Sequence, residues 1–227
     1  MNLEILFDDD YLIAINKPPG ILVHRTNISE DKVFILQLLR DQIGQRIYPV
    51  HRLDRGTSGV LVFGKSKESA ALLAGQFREK KTQKTYLAIV RGFVKEKDTI
   101  DYPMAKEKGK PLQNAITSYK KLAQSELLFS VGKYPSSRYS FVEIQPETGR
   151  FHQIRKHFAH IRHPIINCKK HGDVKHNNYF RNELGISRML LHASKLRFIH
   201  PIDNESIILK APINLEFQNA MDLTRLS

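Results

Sequence analysis

Apolar positions along this chain follow two rhythms, and the switches between them mark the elements. Residues 3–7 and 11–15 alternate as strands, joined by the acidic turn Asp8-Asp9-Asp10. Lys17-Pro18-Pro19-Gly20 is a strong loop signal, and residues 21–24 read as another short strand. Ser29-Glu30-Asp31 resembles a helix start, with acids near the positive end of the dipole. Ile35, Leu38 and Leu39 then recur at helical spacing up to about Ile43. Residues 49–59 are loop-like, and Val60-Leu61-Val62-Phe63 reads as a buried strand. A second helix is predicted over about 67–80, with Ala70, Leu73, Ala74 and Phe77 on one face.

Residues 85–92 alternate like a strand, and the polar, Lys-rich stretch 95–114 reads as a mobile insertion. Strands are predicted over 116–122, 127–131 and 139–145, antiparallel to one another. After Gly149 a third helix would carry Phe151, Ile154, Phe158 and Ile161 on a core face and end at Pro164. Residues 189–199 and 207–209 read as paired strands, and 212–223 as a short helix. Helices intervene irregularly among the strands with no regular βαβ repeat. The expected class is therefore α+β, with a mixed, mainly antiparallel central sheet and flanking helices. No linker or internal repeat is apparent, so one domain over 1–227 is expected.

Composition narrows the function. With 41% hydrophobic and 26% charged residues and no low-complexity tract, the chain can build an ordinary core. The net charge is +13, and such an excess speeds encounter with polyanions. It is also clustered. Residues 150–176 hold seven Lys or Arg (Arg150, Arg155, Lys156, Arg162, Lys169, Lys170, Lys175) against the single acid Asp173. Nucleic acid is the expected partner, ahead of an anionic membrane surface. Cys168 is the only cysteine, so neither an internal disulfide nor a cysteine zinc cage can form within one chain. No secretory signal is evident and no apolar run approaches the ~18 residues of a membrane span, so a cytoplasmic location is expected.

The chemistry points to Asp54, in the run His51-Arg52-Leu53-Asp54-Arg55-Gly56-Thr57-Ser58-Gly59. Two arginines flank it and two glycines allow a tight backbone path. Cationic neighbours favour the ionised carboxylate, which is a poor general acid at neutral pH. It could act as a nucleophile, a weak base or a stabiliser of a developing cation, or simply cap the following turn. Gly56-x-x-Gly59 lacks the Walker spacing and precedes a strand, which argues against an NTPase. In the run Thr148-Gly149-Arg150-Phe151-His152-Gln153-Ile154-Arg155-Lys156-His157, Arg155 borders the apolar stripe. There it needs an anionic partner or must reach past the core edge. Arg150 and Lys156 lie away from the stripe and could meet phosphates. Tyr86, behind Lys80, Lys81 and Lys84, could stack a base or be an ordinary strand tyrosine. His157, His160 and His163 recur every third residue, but with no acid among them a metal site is not expected.

Four runs taken together resemble the RluA family of pseudouridine synthases: Asn16-Lys17-Pro18-Pro19-Gly20 with Val23-His24, His51 to Gly59, Lys84-Thr85-Tyr86-Leu87-Ala88, and Thr148 to Arg155. Their order and spacing match over nearly the whole chain. Arg40-Asp41-Gln42-Ile43-Gly44-Gln45, Gly132-Lys133-Tyr134-Pro135, His163-Pro164-Ile165-Ile166 and His171-Gly172-Asp173 resemble a tRNA-acting branch of that family. The resemblance implies a pseudouridine synthase fold with a catalytic cleft. It implies Asp54 as the catalytic aspartate, Arg52 as the residue filling the gap left by a flipped uridine, and Tyr86 stacked on the uracil. Arg155 would pair with Asp54, Ile154 would wall the pocket, and Lys17 would lie near the active site. Arg55, Arg150 and Lys156 would bind RNA. No cofactor or metal is implied, and the separate N-terminal RNA-binding domain that some members carry is not expected here. The expected substrate is uridine 65 in the T-stem of tRNA. Ribosomal RNA, or RNA binding without catalysis, are the alternatives, and a monomer is expected. Members of the branch usually read Gly-Asp after His-Pro-Ile-Ile, where Asn167-Cys168 stands here. That departure is not expected to touch Asp54, Tyr86 or Arg155.

Overall fold

The computed structural model describes residues 1–24, 31–105 and 109–227. Ser29 and Glu30 of the expected helix start lie outside the described residues. The chain forms two compact units that exchange segments: residues 1–84 with 193–212, and residues 85–192 with 213–227.

The first unit is built on strands that the apolar runs dictate. β1 (Glu4–Asp8) and β2 (Leu12–Lys17) form an antiparallel hairpin across the acidic turn. In that turn Asp9 accepts from the Tyr11 and Leu12 amides. β3 (Tyr48–Pro49) and β2 both pair antiparallel with β4 (Ser58–Gly64), every residue of which is buried. Between them α1 (Ile35–Ile43) buries Ile35 and Leu39 and ends at Gly44 in the left-handed region. α2 (Lys67–Arg78) starts at a reciprocal cap between Ser66 and Ser69 and buries Ala70 and Leu73. The chain returns to this unit through most of β11 (Leu191–Ile199), which pairs antiparallel with β12 (Ser206–Lys210). Leu12, Ala14, Val60, Val62, Leu73, Leu196, Phe198 and Leu209 share one core.

The second unit has the strand order β5-β10-β9-β6, with antiparallel neighbours. These are β5 (Gln83–Arg91), β6 (Lys97–Asp101), β9 (Ile116–Leu127) and β10 (Ser137–Pro146). β7 (Met104–Ala105) and β8 (Leu112–Gln113) form a small hairpin. α3 (Gln153–His160), α4 (Val174–Asn182) and α5 (Leu215–Leu223) complete the unit. One core gathers Ala88, Val90, Ile144, Ile154 and Phe158, and a second gathers Tyr139, Phe141, Phe180, Phe217 and Met221. No described helix is long and apolar enough to cross a membrane.

Four expectations are corrected. Residues 21–24 form no strand; Leu22 makes only a single bridge to Phe34. The 95–114 stretch is not an unstructured insertion: it supplies β6, β7 and β8, and Ile100 and Met104 anchor it in the interior. Residues 127–131 are not a separate strand, because β9 runs unbroken to Leu127 and the chain then turns. Phe151 is not in the core; it precedes α3 and is 42% exposed, while Ile154 and Phe158 are buried and Ile161 packs beside them. α4 went unforeseen because its sequence, VKHNNYFRN, offers little apolar stripe. Its start is fixed by Asp173, which caps the Lys175 and His176 amides and pairs with Arg91.

His51 ties α2 to β4. Its Nε2 accepts from the Val62 amide at 3.1 Å, and its ring stacks on Phe77 with centroids 4.6 Å apart. Only the neutral ring can accept that bond. Burial first, and the Lys84 charge second, push its pKa down from 6.5 to about 3. The unfolded chain therefore binds a proton that the folded chain refuses between those values. The stability from this group is complete above pH 6.5 and is lost as pH falls towards 3. The urea midpoint is expected to drop between pH 7 and pH 5, and His51→Gln, which keeps an acceptor, is expected to shrink that drop. An equal drop in both proteins would remove His51 as its source.

Candidate active site

Asp54 opens a tight turn just before β4. The Thr57 amide donates to the Asp54 carbonyl oxygen at 3.1 Å, so the main chain closes the turn. The strand register explains what holds it. Lys17, the last residue of β2, pairs with Gly59 near the start of β4, which brings the Lys17 side chain against the turn. Lys17 is 0% exposed. Its Nζ donates to the carbonyls of Pro18 at 2.8 Å, Thr57 at 2.9 Å and Arg55 at 3.3 Å. The Gly20 amide adds a bond to the Arg55 carbonyl at 2.8 Å. A lysine that the family likeness placed only loosely near the site thus stitches the 17–20 loop to the Asp54 turn. Gly59, at φ +110, allows the close approach of this strand to β11, because an added Cβ would fall on the Ala193 backbone.

The arginines beside Asp54 are used differently. The Arg55 guanidinium is paired with Asp31 and remains exposed. Arg52 is exposed, and its charge acts on His24. Burial first, and Arg52 second, hold that imidazole below its ordinary pKa. Arg52 thus adjoins the Val23-His24 run.

In the second unit β5 carries Tyr86 and α3 carries Ile154 and Arg155. Tyr86 pairs with Ile144 of β10 and packs against the cluster that contains Ile154. The structure thus brings Tyr86 and Ile154 together, with Arg155 next along the helix. The helix start depends on Gln153, which sequence reasoning passed over. Its Oε1 accepts from Thr148 Oγ1 at 2.7 Å and the Arg150 amide at 2.9 Å. Its Nε2 donates to the Ile116 carbonyl at 2.9 Å and Thr117 Oγ1 at 3.0 Å. The available signal was its place within the run Thr148 to Arg155, one of the four that carry the family resemblance.

Arg155 Nε donates to Cys168 Sγ at 3.2 Å, so the Asn167-Cys168 departure does reach Arg155. The sequence gap of 13 residues hid this contact, which forms because the loop after α3 folds back. Asn167 sits at φ 59, in the left-handed region that asparagine tolerates better than most residues. Its Nδ2 donates to the Ile186 carbonyl at 2.8 Å. Arg150 Nε donates to the Asn114 carbonyl at 3.2 Å and Lys156 Nζ to the Ala105 carbonyl at 3.1 Å. Both cations remain at the surface or partly exposed.

Of the three histidines of α3 and its exit, two engage Tyr102 and the third meets Arg91. His157 Nε2 meets the Tyr102 carbonyl at 3.1 Å, His160 stacks on the Tyr102 ring, and His163 Nδ1 meets the Arg91 carbonyl at 2.9 Å. Among the described residues no group of His, Cys, Asp or Glu is arranged to hold a metal ion.

These two sets of side chains, one on each unit, stand in a chain that belongs to the RNA pseudouridylate synthase family, whose pattern matches residues 11–160. Particular relatives extend the likeness to almost the full length. The chain is 48% identical over 229 residues to tRNA pseudouridine synthase C of Vibrio parahaemolyticus, covering 96% of this chain and 93% of that one. It is 44% identical over 231 residues to the protein of that name in Haemophilus influenzae, covering 97% of each. The solved structure of Human RNA Pseudouridylate Synthase Domain Containing 1 matches with a TM-score of 0.74 at 25% identity, covering 93% of this chain and 84% of that one. The fold is accordingly the α+β pseudouridine synthase fold, with a mainly antiparallel sheet.

Lys17→Met keeps the length of the side chain and removes its donors. Three carbonyls then lose a charged partner, and a stability loss of about 3 kcal/mol is expected. Urea unfolding measures it, and an unchanged midpoint would show that the carbonyls find other donors.

Proposed function

We propose that this protein converts uridine 65 in the T-stem of tRNA to pseudouridine. The supporting observation is the fixed Asp54 turn, held by a buried lysine, in a chain 48% identical to a tRNA pseudouridine synthase C. The net charge of +13 suits an RNA substrate. The reaction breaks the N1–C1′ bond and makes a C5–C1′ bond; C5 loses a proton and N1 gains one. The target base must leave its stack, at a cost of a few kcal/mol. Arg52 fills the gap it leaves and Tyr86 stacks on the uracil, which offsets part of that cost. Asp54 either attacks C1′ or takes the C2′ proton, and both routes need the ionised carboxylate. Arg155 supplies the counter-charge for it, and Ile154 shapes the wall. Arg150 and Lys156 bind the RNA backbone. Residues 1–227 act as one catalytic domain, as a monomer in the cytoplasm.

Incubation with tRNA carrying tritium at uracil C5 is expected to release tritium, and Asp54→Ala to reduce release to background. An RNA-binding protein without activity would bind the same RNA, with the same salt sensitivity, and release none. In cells lacking the protein, pseudouridine is expected to be missing from position 65 of tRNA; its loss from ribosomal RNA alone would overturn the substrate assignment. Arg155→Leu is expected to lower kcat on the order of a hundredfold while RNA affinity changes only a few-fold. Equal losses of rate and affinity would make Arg155 a phosphate contact instead.

A further inference from the structure

Phe151 is a phenylalanine that helical spacing assigns to the core, yet it stands 42% exposed. Its position is imposed. The Gln153 amide has two acceptor sites and two N–H donors, and all four are used within the 148–153 turn and β9. This saturated, buried group fixes the path of the turn and sets His152 at φ 57, a strained conformation that persists only where the surroundings over-determine it. From there the His152 ring does two things. Its Nδ1 bonds His171 Nε2 at 3.1 Å, and its face stacks on Phe151 with centroids 3.8 Å apart and planes 22° from parallel. A flat aromatic pair is thereby held at the surface, braced from behind by a second histidine.

Its surroundings are cationic. Lys156 Nζ lies 5.9 Å from the Phe151 ring centroid. Arg150 precedes the ring in the chain and is exposed, as are Lys169 and Lys170 just before His171. An exposed aromatic plane rimmed by lysine and arginine takes an unstacked nucleobase with its phosphates.

We infer that Phe151, backed by His152, is the stacking platform for the base of a nucleotide adjacent to the target uridine. This rests on the proposed function, because Phe151 lies four residues before Arg155 on the same turn and helix. Withdrawing the target leaves its neighbour without a stacking partner on one side, and Phe151 supplies one. The platform would make the enzyme sensitive to the identity of that neighbour through its stacking strength.

Kinetics and crosslinking test this together, using the full chain and tritiated tRNA. Phe151→Leu is expected to raise KM about tenfold and to change kcat much less, and Phe151→Tyr to restore KM. The side chain is exposed, so the substitutions spare the core. 5-Iodouridine placed in turn at each nucleotide flanking the target is expected to photocrosslink to Phe151 or His152 from one position, with the Phe151 adduct absent in Phe151→Leu. Wild-type KM in Phe151→Leu, or adducts elsewhere from every flanking position, would overturn the platform while tritium release leaves the proposed function standing. No tritium release from tRNA by the wild-type protein would overturn the proposed function, and the platform with it.

Discussion

The Lys17 ammonium is buried, and burying a charge is tolerable only when its protons are all engaged. Here they meet the carbonyls of Pro18, Arg55 and Thr57, on two loops that the sequence separates by about forty residues. Charge-assisted bonds of this kind are short and strong in a dry setting. The backbone of the Asp54 turn therefore has one low-energy path, and the carboxylate starts from a fixed origin. The same contact closes the end of the β2–β4 pair, so the fold of the first unit and the placing of Asp54 depend on one side chain.

Gln153 plays the corresponding part in the second unit. It is uncharged, but its amide is fully saturated by the turn that leads into α3 and by the start of β9. The helix is thus anchored at its first residue. Ile154 then enters the core beside Tyr86, and Arg155 emerges at its margin against Cys168. Each unit thus secures its functional side chains through a buried polar group whose bonding capacity is used up, rather than through packing alone.

Much of the fold was legible in the sequence. β2 and β4 are near-continuous apolar runs, and α2 shows a clear stripe with a serine at its cap. The errors share a cause. β6 alternates too weakly to stand out, because its polar residues Lys97, Asp98, Thr99 and Asp101 leave Ile100 as the one buried position. α4 has no strong stripe, since its docking adds an Asp173–Arg91 pair and a Tyr139–His176 bond to the apolar contacts of Phe180. Phe151 was assigned to the core because periodicity assumes that the helix has already begun, whereas the turn ends two residues later.

By itself the sequence determined the class of the fold and the net positive charge, because these are local in the chain or additive over it. Asp54 between two arginines, Tyr86 behind its lysines and Arg155 at an apolar margin were candidates by position, and the family resemblance gave them their expected roles. The tertiary structure decided what each residue is bonded to. It turned Lys17 from a neighbour of the site into its clamp, gave Arg55 to Asp31, joined Arg155 to Cys168, and placed Phe151 at the surface. Such assignments depend on strand register and on the return of distant loops, and neither leaves a periodic trace in the residues concerned.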